Sequence, residues 1–184
     1  MRIVSGRFKG AAIAAPKTQS TRPTSDRLRE TIFNILSHGL DVDLDGARVL
    51  DLFAGSGALG LEALSRGARH CTFIEEGAEA RGVIRRNMEA LGLNGVAKIF
   101  RRDATRLGAV GTIEPFDLVF ADPPYDKGMG EKALATAREG GWLKPGAVCV
   151  LEERASAIIE LPEGFSELDR RVAGDSQVLF VKAD

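Results

Sequence analysis

At 184 residues, 44% hydrophobic and 28% charged, the chain has the size and composition of one globular domain that buries its own core without disulfide or metal staples. No apolar run reaches bilayer-spanning length, the N-terminus lacks the apolar centre of a secretory signal, and Cys71 and Cys149 sit singly in apolar strand-like runs, so a cytoplasmic protein with reduced thiols is expected. The formal charge of −1 conceals an asymmetry: residues 1–38 carry seven Lys/Arg against two acids, a net +5, and the remainder carries −6. By charge alone, that segment is either an arm for a polyanion or a solvated face. His38 and His70 stand apart, no Cys/His cluster has ligand spacing, and no metal is expected.

In chain order, RIVSGRFKGAAIAAP reads as two short strands around a glycine-punctuated turn, Gly6 to Gly10. Pro23 and the capping candidates Thr24 and Ser25 then open a helix. Leu28, Thr31, Ile32, Ile35 and Leu36 recur along it at helical spacing, and Gly39 closes it. From Ala47 strands and helices alternate. Strands are predicted at 47–53, 71–75, 97–101, 116–122 and 147–153, and helices at 58–66, 78–91 and 129–139. The stretch FSELDRRVAGDSQVLFVKA reads as two strands turning at Gly174-Asp175. Alternation of this kind requires parallel strands joined by crossovers, so the fold class is α/β: a mostly parallel, Rossmann-like sheet flanked by helices, with an antiparallel hairpin at its edge. A single domain over 1–184 is expected, composed of a basic extension of hairpin plus helix (1–39) and a catalytic core (40–184).

The segment VLDLFAGSGALGLEAL places Gly55, Gly57 and Gly60 between the first core strand and its helix. Glycines there permit a tight turn and close backbone approach to a ligand, and the spacing alone suits a dinucleotide and S-adenosylmethionine equally. Asp51, four residues before the first glycine, separates the two. A carboxylate there attracts the cationic aminoacyl end of S-adenosylmethionine and repels a pyrophosphate. Glu75 ends the next strand, where an acid can accept both ribose hydroxyls, although the adjacent Glu76 is not distinguished from it by alternation. Asp103 ends the third, placed either for an adenine amine or as a helix cap.

FADPPYDKG supplies the second group of residues. The strand through Phe120 ends in Asp122, followed by Pro123, Pro124 and Tyr125, the only tyrosine of the chain. Prolines end a strand and stiffen the turn beyond it. If that strand neighbours the first, Asp122 emerges beside the glycine loop. An exocyclic nucleobase amine is a poor nucleophile because its lone pair delocalises into the ring. Accepting its N–H bonds on Asp122 and the Pro123 carbonyl would pyramidalise the nitrogen toward a methyl group, and Tyr125 would offer a stacking face to the extruded base.

Together with the opening run MRIVSGRFKG…PKTQSTRPTSDRLRETIFNIL, these residues resemble the RsmD-type family of bacterial 16S ribosomal RNA guanine-N2 methyltransferases. The likeness extends to GGWLKPGAVCVLEE and AGDSQVLFV. The resemblance implies a class I methyltransferase fold with a seven-stranded sheet, and S-adenosylmethionine as cofactor. It assigns Asp51, Phe53, Gly55, Gly57, Glu75, Asp103, Ala104, Arg22, Pro23 and Thr24 to cofactor binding, the last three near the transfer centre. It gives Asp122, Pro123, Pro124 and Tyr125 the target guanine, and Arg7, Lys9, Arg22 and Arg27 contacts to ribosomal RNA. A monomer acting on the assembled small subunit is implied. From Glu75 the chain reads EEGAEA, where the family often carries an acid–basic pair. The competing readings are an amino-methyltransferase for DNA adenine or a protein glutamine, a nicotinamide-dependent oxidoreductase supported by the glycine spacing, and a noncatalytic RNA-binding module.

Overall fold

A computed structural model describes residues 1–17 and 24–184. Seven strands form one sheet: β1 (Arg48–Leu52), β2 (His70–Ile74), β3 (Ala97–Phe100), β4 (Phe116–Ala121), β5 (Leu143–Arg154), β6 (Phe165–Ala173) and β7 (Ser176–Ala183), in the order β3-β2-β1-β4-β5-β7-β6. The five strands from β1 to β5 pair in parallel, and β7 runs antiparallel to both β5 and β6. The predicted α/β sheet with its edge hairpin is therefore present. β1 is buried along its whole length, the continuous apolar pattern of a strand covered on both faces.

Among the described residues four α-helices cover the sheet: α1 (Asp26–Asn34), α2 (Ala58–Ser65), α3 (Ala78–Ala90) and α4 (Met129–Glu139). The Ser25 side chain caps α1 by accepting from the Leu28 N–H, and a π-helical turn over Ile35–Gly39 ends that helix at the predicted glycine. Alternation along the strands divides the core in two. Val49, Phe73, Leu118 and Phe120 face α1, α2 and α3, whereas Leu50, Ile74, Val119 and Trp142 face α4.

The opening segment differs from its sequence-based reading. Arg2 and Ala12 form one antiparallel bridge rather than two strands. The reason lies in α2. The two arms keep ladder bonds from the Ile3 N–H to the Ala11 carbonyl and from the Ile13 N–H to the Met1 carbonyl. The Val4 and Ser5 N–H groups, however, donate to the Glu62 carboxylate (2.9 and 3.0 Å) and the Arg7 N–H to the Ser65 carbonyl, so past Ile3 the backbone is satisfied by α2. Gly6, at φ +85°, is required by this approach, because a Cβ there would lie 2.0 Å from the Ser65 carbonyl oxygen. Arg29 of α1, fully buried, donates to Glu62 (3.3 Å) and Asp26 (2.8 Å) and also to the Arg2 carbonyl. The segment is thus fastened to the core by a buried ion pair. β5 also begins earlier than predicted, at Leu143, with a shift of register against β4 before Val148.

Candidate active site

The strand order reverses between β1 and β4, where the crevice of an open α/β sheet opens at the carboxyl ends of its strands. A cavity of about 460 Å³ lies at that end, within the range of small-molecule sites. Its wall includes Thr24, Asp51, Phe53, Gly55, Glu75, Ala104, Asp122 and Pro124 from the sequence-based set. Register explains part of this. Asp51 pairs with Phe120, and Ala121 pairs with Leu151, so the strands end level and deliver their acids to one rim.

The loop after β1 is shaped by its glycines and its acids. Phe53 holds φ +55°, a strained value for a side-chain-bearing residue, and Gly55 follows at φ +60°. The Glu75 carboxylate clamps the turn, accepting from the Gly55 N–H on one oxygen and from the Gly77 N–H on the other, both at 2.8 Å. That geometry distinguishes Glu75 from Glu76, which also reaches the wall. Asn87 of α3 ties the same loop to the opening segment by donating to the Ser56 and Ala14 carbonyls, each 3.1 Å away. Gly57 and Gly60 serve packing: a Cβ on Gly57 would press on Phe73 at 3.1 Å, and one on Gly60 would meet the Cys71 sulfur at 2.5 Å.

Asp51 is 2% exposed, and its Oδ2 accepts from the Gly60 N–H at 3.0 Å, while Oδ1 has no hydrogen-bond partner among the described residues. Desolvation, opposed by the Gly60 bond and reinforced by the charge of Glu75, pushes this carboxyl up to about 8. A buried acid with a free oxygen suits a cationic ligand group. Asp51 and Glu75 beside the loop amides are equally ill suited to a pyrophosphate. The donor set therefore fits S-adenosylmethionine, with apolar walls at Leu59, Ile74 and Ala104 for its uncharged parts.

Other residues stand elsewhere. Asp103 is off the wall, with its Oδ1 accepting from both the N–H and the hydroxyl of Thr105, at 2.8 and 2.7 Å, while the neighbouring Arg102 reaches the cavity. Pro123 is buried behind Asp122. Tyr125 is half-buried and off the wall: Arg154 lies over its ring at 5.3 Å, and its hydroxyl donates to Glu152 (3.1 Å). Arg7, Lys9 and Arg27 are exposed and away from the cavity. Arg22 and Pro23 lie outside the described residues. Sequence reading missed Glu152, which shares the Thr24 hydroxyl with Asp122. Its signal was the alignment of two parallel strands, VFAD beside CVLE, each ending in an acid. Met129 and Ser56 also line the cavity without having been expected. Among the described residues, no helix is long and apolar enough to cross a membrane, and no cluster of acids, histidines and cysteines could hold a metal.

The family described as Conserved hypothetical protein 95 matches residues 1–182. The chain belongs to this family. Ribosomal RNA small subunit methyltransferase D of Escherichia coli (strain K12) is 36% identical over 175 residues, covering 95% of this chain and 85% of that protein. The resemblance to RsmD-type methyltransferases is thereby borne out. Among solved structures, the Escherichia coli chain yhhF superposes with a TM-score of 0.84 at 33% identity, covering 100% of this chain and 98% of its own. The Thermus thermophilus 16S rRNA N2 G1207 methyltransferase, solved with AdoMet and guanosine, has a TM-score of 0.64 over 91% of this chain and 45% of its own. At 23% identity that likeness concerns the fold alone. The family disfavours the oxidoreductase and the DNA or protein methylase readings.

Proposed function

We propose that the chain methylates the exocyclic N2 amine of one guanine in small-subunit ribosomal RNA, with S-adenosylmethionine held in the cavity between β1 and β4. The observation that carries this reading is the meeting of Asp51, Gly55 and Glu75 with Asp122 and Pro124 on one wall. When bound, the cofactor supplies an electrophilic methyl group on a cationic sulfur. Asp51 would hold the cationic aminoacyl end and Phe53 and Ala104 would pack against the adenosine, while Glu75 keeps the glycine loop closed. Asp122 and the Pro123 carbonyl accept the two amine hydrogens, which turns the nitrogen lone pair toward the methyl. Tyr125, three residues beyond Asp122 and with Arg154 over one ring face, is the side chain assigned to stack on the extruded base. Thr24 lines the crevice from the N-terminal side. Arg7, Lys9 and Arg27 contact phosphate oxygens, positioning the RNA without reading its sequence.

The test is methyl transfer to small subunits from an unmodified strain by wild type and by Asp122→Ala. The variant is expected to lose about 100-fold or more in transfer rate. Its affinity for S-adenosylhomocysteine stays at the wild-type value. Transfer at near wild-type rate by Asp122→Ala would overturn the assigned chemistry.

A further inference from the structure

Asp122 does not stand alone at the end of β4. Ala121 pairs with Leu151 across the parallel ladder, so the next residues, Asp122 and Glu152, lie side by side on the same face. Glu152 is only 5% exposed. The Thr24 hydroxyl lies 3.1 Å from Asp122 Oδ2 and 2.9 Å from Glu152 Oε2. A hydroxyl has one hydrogen to give. It can donate to one carboxyl only, and the other contact is a hydrogen bond only when that carboxyl carries a proton and donates to the hydroxyl oxygen. On its far side, Glu152 Oε1 accepts from the Tyr125 hydroxyl at 3.1 Å, and Tyr125 is in turn 2.7 Å from the Ser176 hydroxyl. The groups packed on the pair are therefore Thr24 before α1, Asp51 of β1, Tyr125 after β4 and, beyond it, Ser176 of β7. Arg154 lies over the Tyr125 ring and is bound to Asp126 at 2.6 Å rather than to either acid.

We propose that Asp122 and Glu152 form a carboxyl pair sharing one proton, and that Glu152 is a positioning residue for transfer. Glu152 holds Asp122 Oδ2 at Thr24 and leaves Oδ1 for the amine. This rests on the methyl-transfer reading. Burial first, and then the negative charge of Glu152, hold the Asp122 carboxyl well above the usual range, against the opposing hydrogen bond from Thr24. In transfer, the amine lone pair becomes the new N–C bond as the S–C bond breaks, and one N–H proton leaves the nitrogen. The pair starts with one proton and one negative charge and ends with two protons and none. Donor cation and pair anion are discharged together, and the extra proton then passes to water.

Infrared spectroscopy of the protein alone at pH 7 counts protonated carboxyls, with Asp51→Asn identifying the separate contribution of Asp51. Asp122→Asn and Glu152→Gln should each remove the same protonated-carboxyl band, and the double variant should remove no more than either. Loss of a different band in each single variant, or of none, overturns the pair. Asp122→Asn judges the shared proton independently if Glu152→Gln fails to fold. In single-turnover transfer, Glu152→Gln retains acceptor and donor atoms for Tyr125 and Thr24. It should slow transfer by about 10-fold or more. KM for the RNA should be unchanged, and one ionisation should vanish from the pH profile. A wild-type rate and pH profile in Glu152→Gln overturns the positioning role. Absence of transfer by the wild type would instead refute the functional reading, while the spectra would still decide whether the proton is shared.

Discussion

Asp51 is an acid held by burial in its neutral form until about pH 8, against an ordinary value of 3.8. Between those two values the folded protein keeps a proton that the unfolded chain has lost. Stability of the unliganded protein therefore falls as pH rises through this window and levels off above about pH 8. Asp51→Asn should flatten that slope in denaturant titrations, and an unchanged slope would show that another group produces it. The same group couples to the cofactor. A cationic amino group favours the ionised carboxyl, so affinity should rise with pH toward about 8 and binding at pH 7 should release protons, read as a buffer-dependent enthalpy in calorimetry. Affinity independent of pH would mean that the cation sits elsewhere. That Asp51 and Asp122 would meet on one cavity wall was legible, because acids at strand ends beside glycine and proline have few structural reasons to be there. Asp103 was not resolved by the same rule, since its bonds to Thr105 also make a sound turn.

At the scale of elements, the junction from β1 to α2 depends on how closely the helix approaches the sheet. Gly60 sits in α2 with room for no side chain: an added Cβ would lie 2.5 Å from the Cys71 sulfur and 2.6 Å from Phe73, both fully buried. Gly60→Ala gains about 1 kcal/mol of helix propensity and loses about 1–3 kcal/mol to overpacking. A lowered thermal midpoint is expected, and a midpoint at or above wild type would contradict the packing role. This third glycine was legible in its spacing, but its packing against β2 was not. The strands and helices from Ala47 onward were readable because buried parallel strands and amphipathic helices write their periods into the sequence. The opening segment was legible only as a short pairing, because beyond the Ile3–Ala11 and Ile13–Met1 backbone bonds its N–H groups turn to Glu62 and Ser65 of α2. Nothing local announces a partner some 58 residues away.

For the molecule as a whole, charge counted along the chain overstated the arm. Of its seven basic residues, Arg29 is fully buried against Glu62 and Asp26, whereas Arg7, Lys9 and Arg27 are exposed. If these three touch phosphate, replacing them together by Ala should weaken RNA binding irrespective of sequence. The salt dependence should flatten by about 0.7–0.9 in log–log slope for each phosphate left without its cation. An unchanged slope would place the RNA on another face. A modest positive arm on an acidic body predicts weak binding to free RNA, measurable by titration at physiological salt.

The most direct measurement offers labelled S-adenosylmethionine to three acceptors: naked 16S ribosomal RNA, assembled small subunits from an unmodified strain, and duplex DNA. Label in the assembled subunit that maps to a guanine N2 is the predicted result. Label confined to DNA, or mapped to an atom other than an exocyclic amine, would contradict the account.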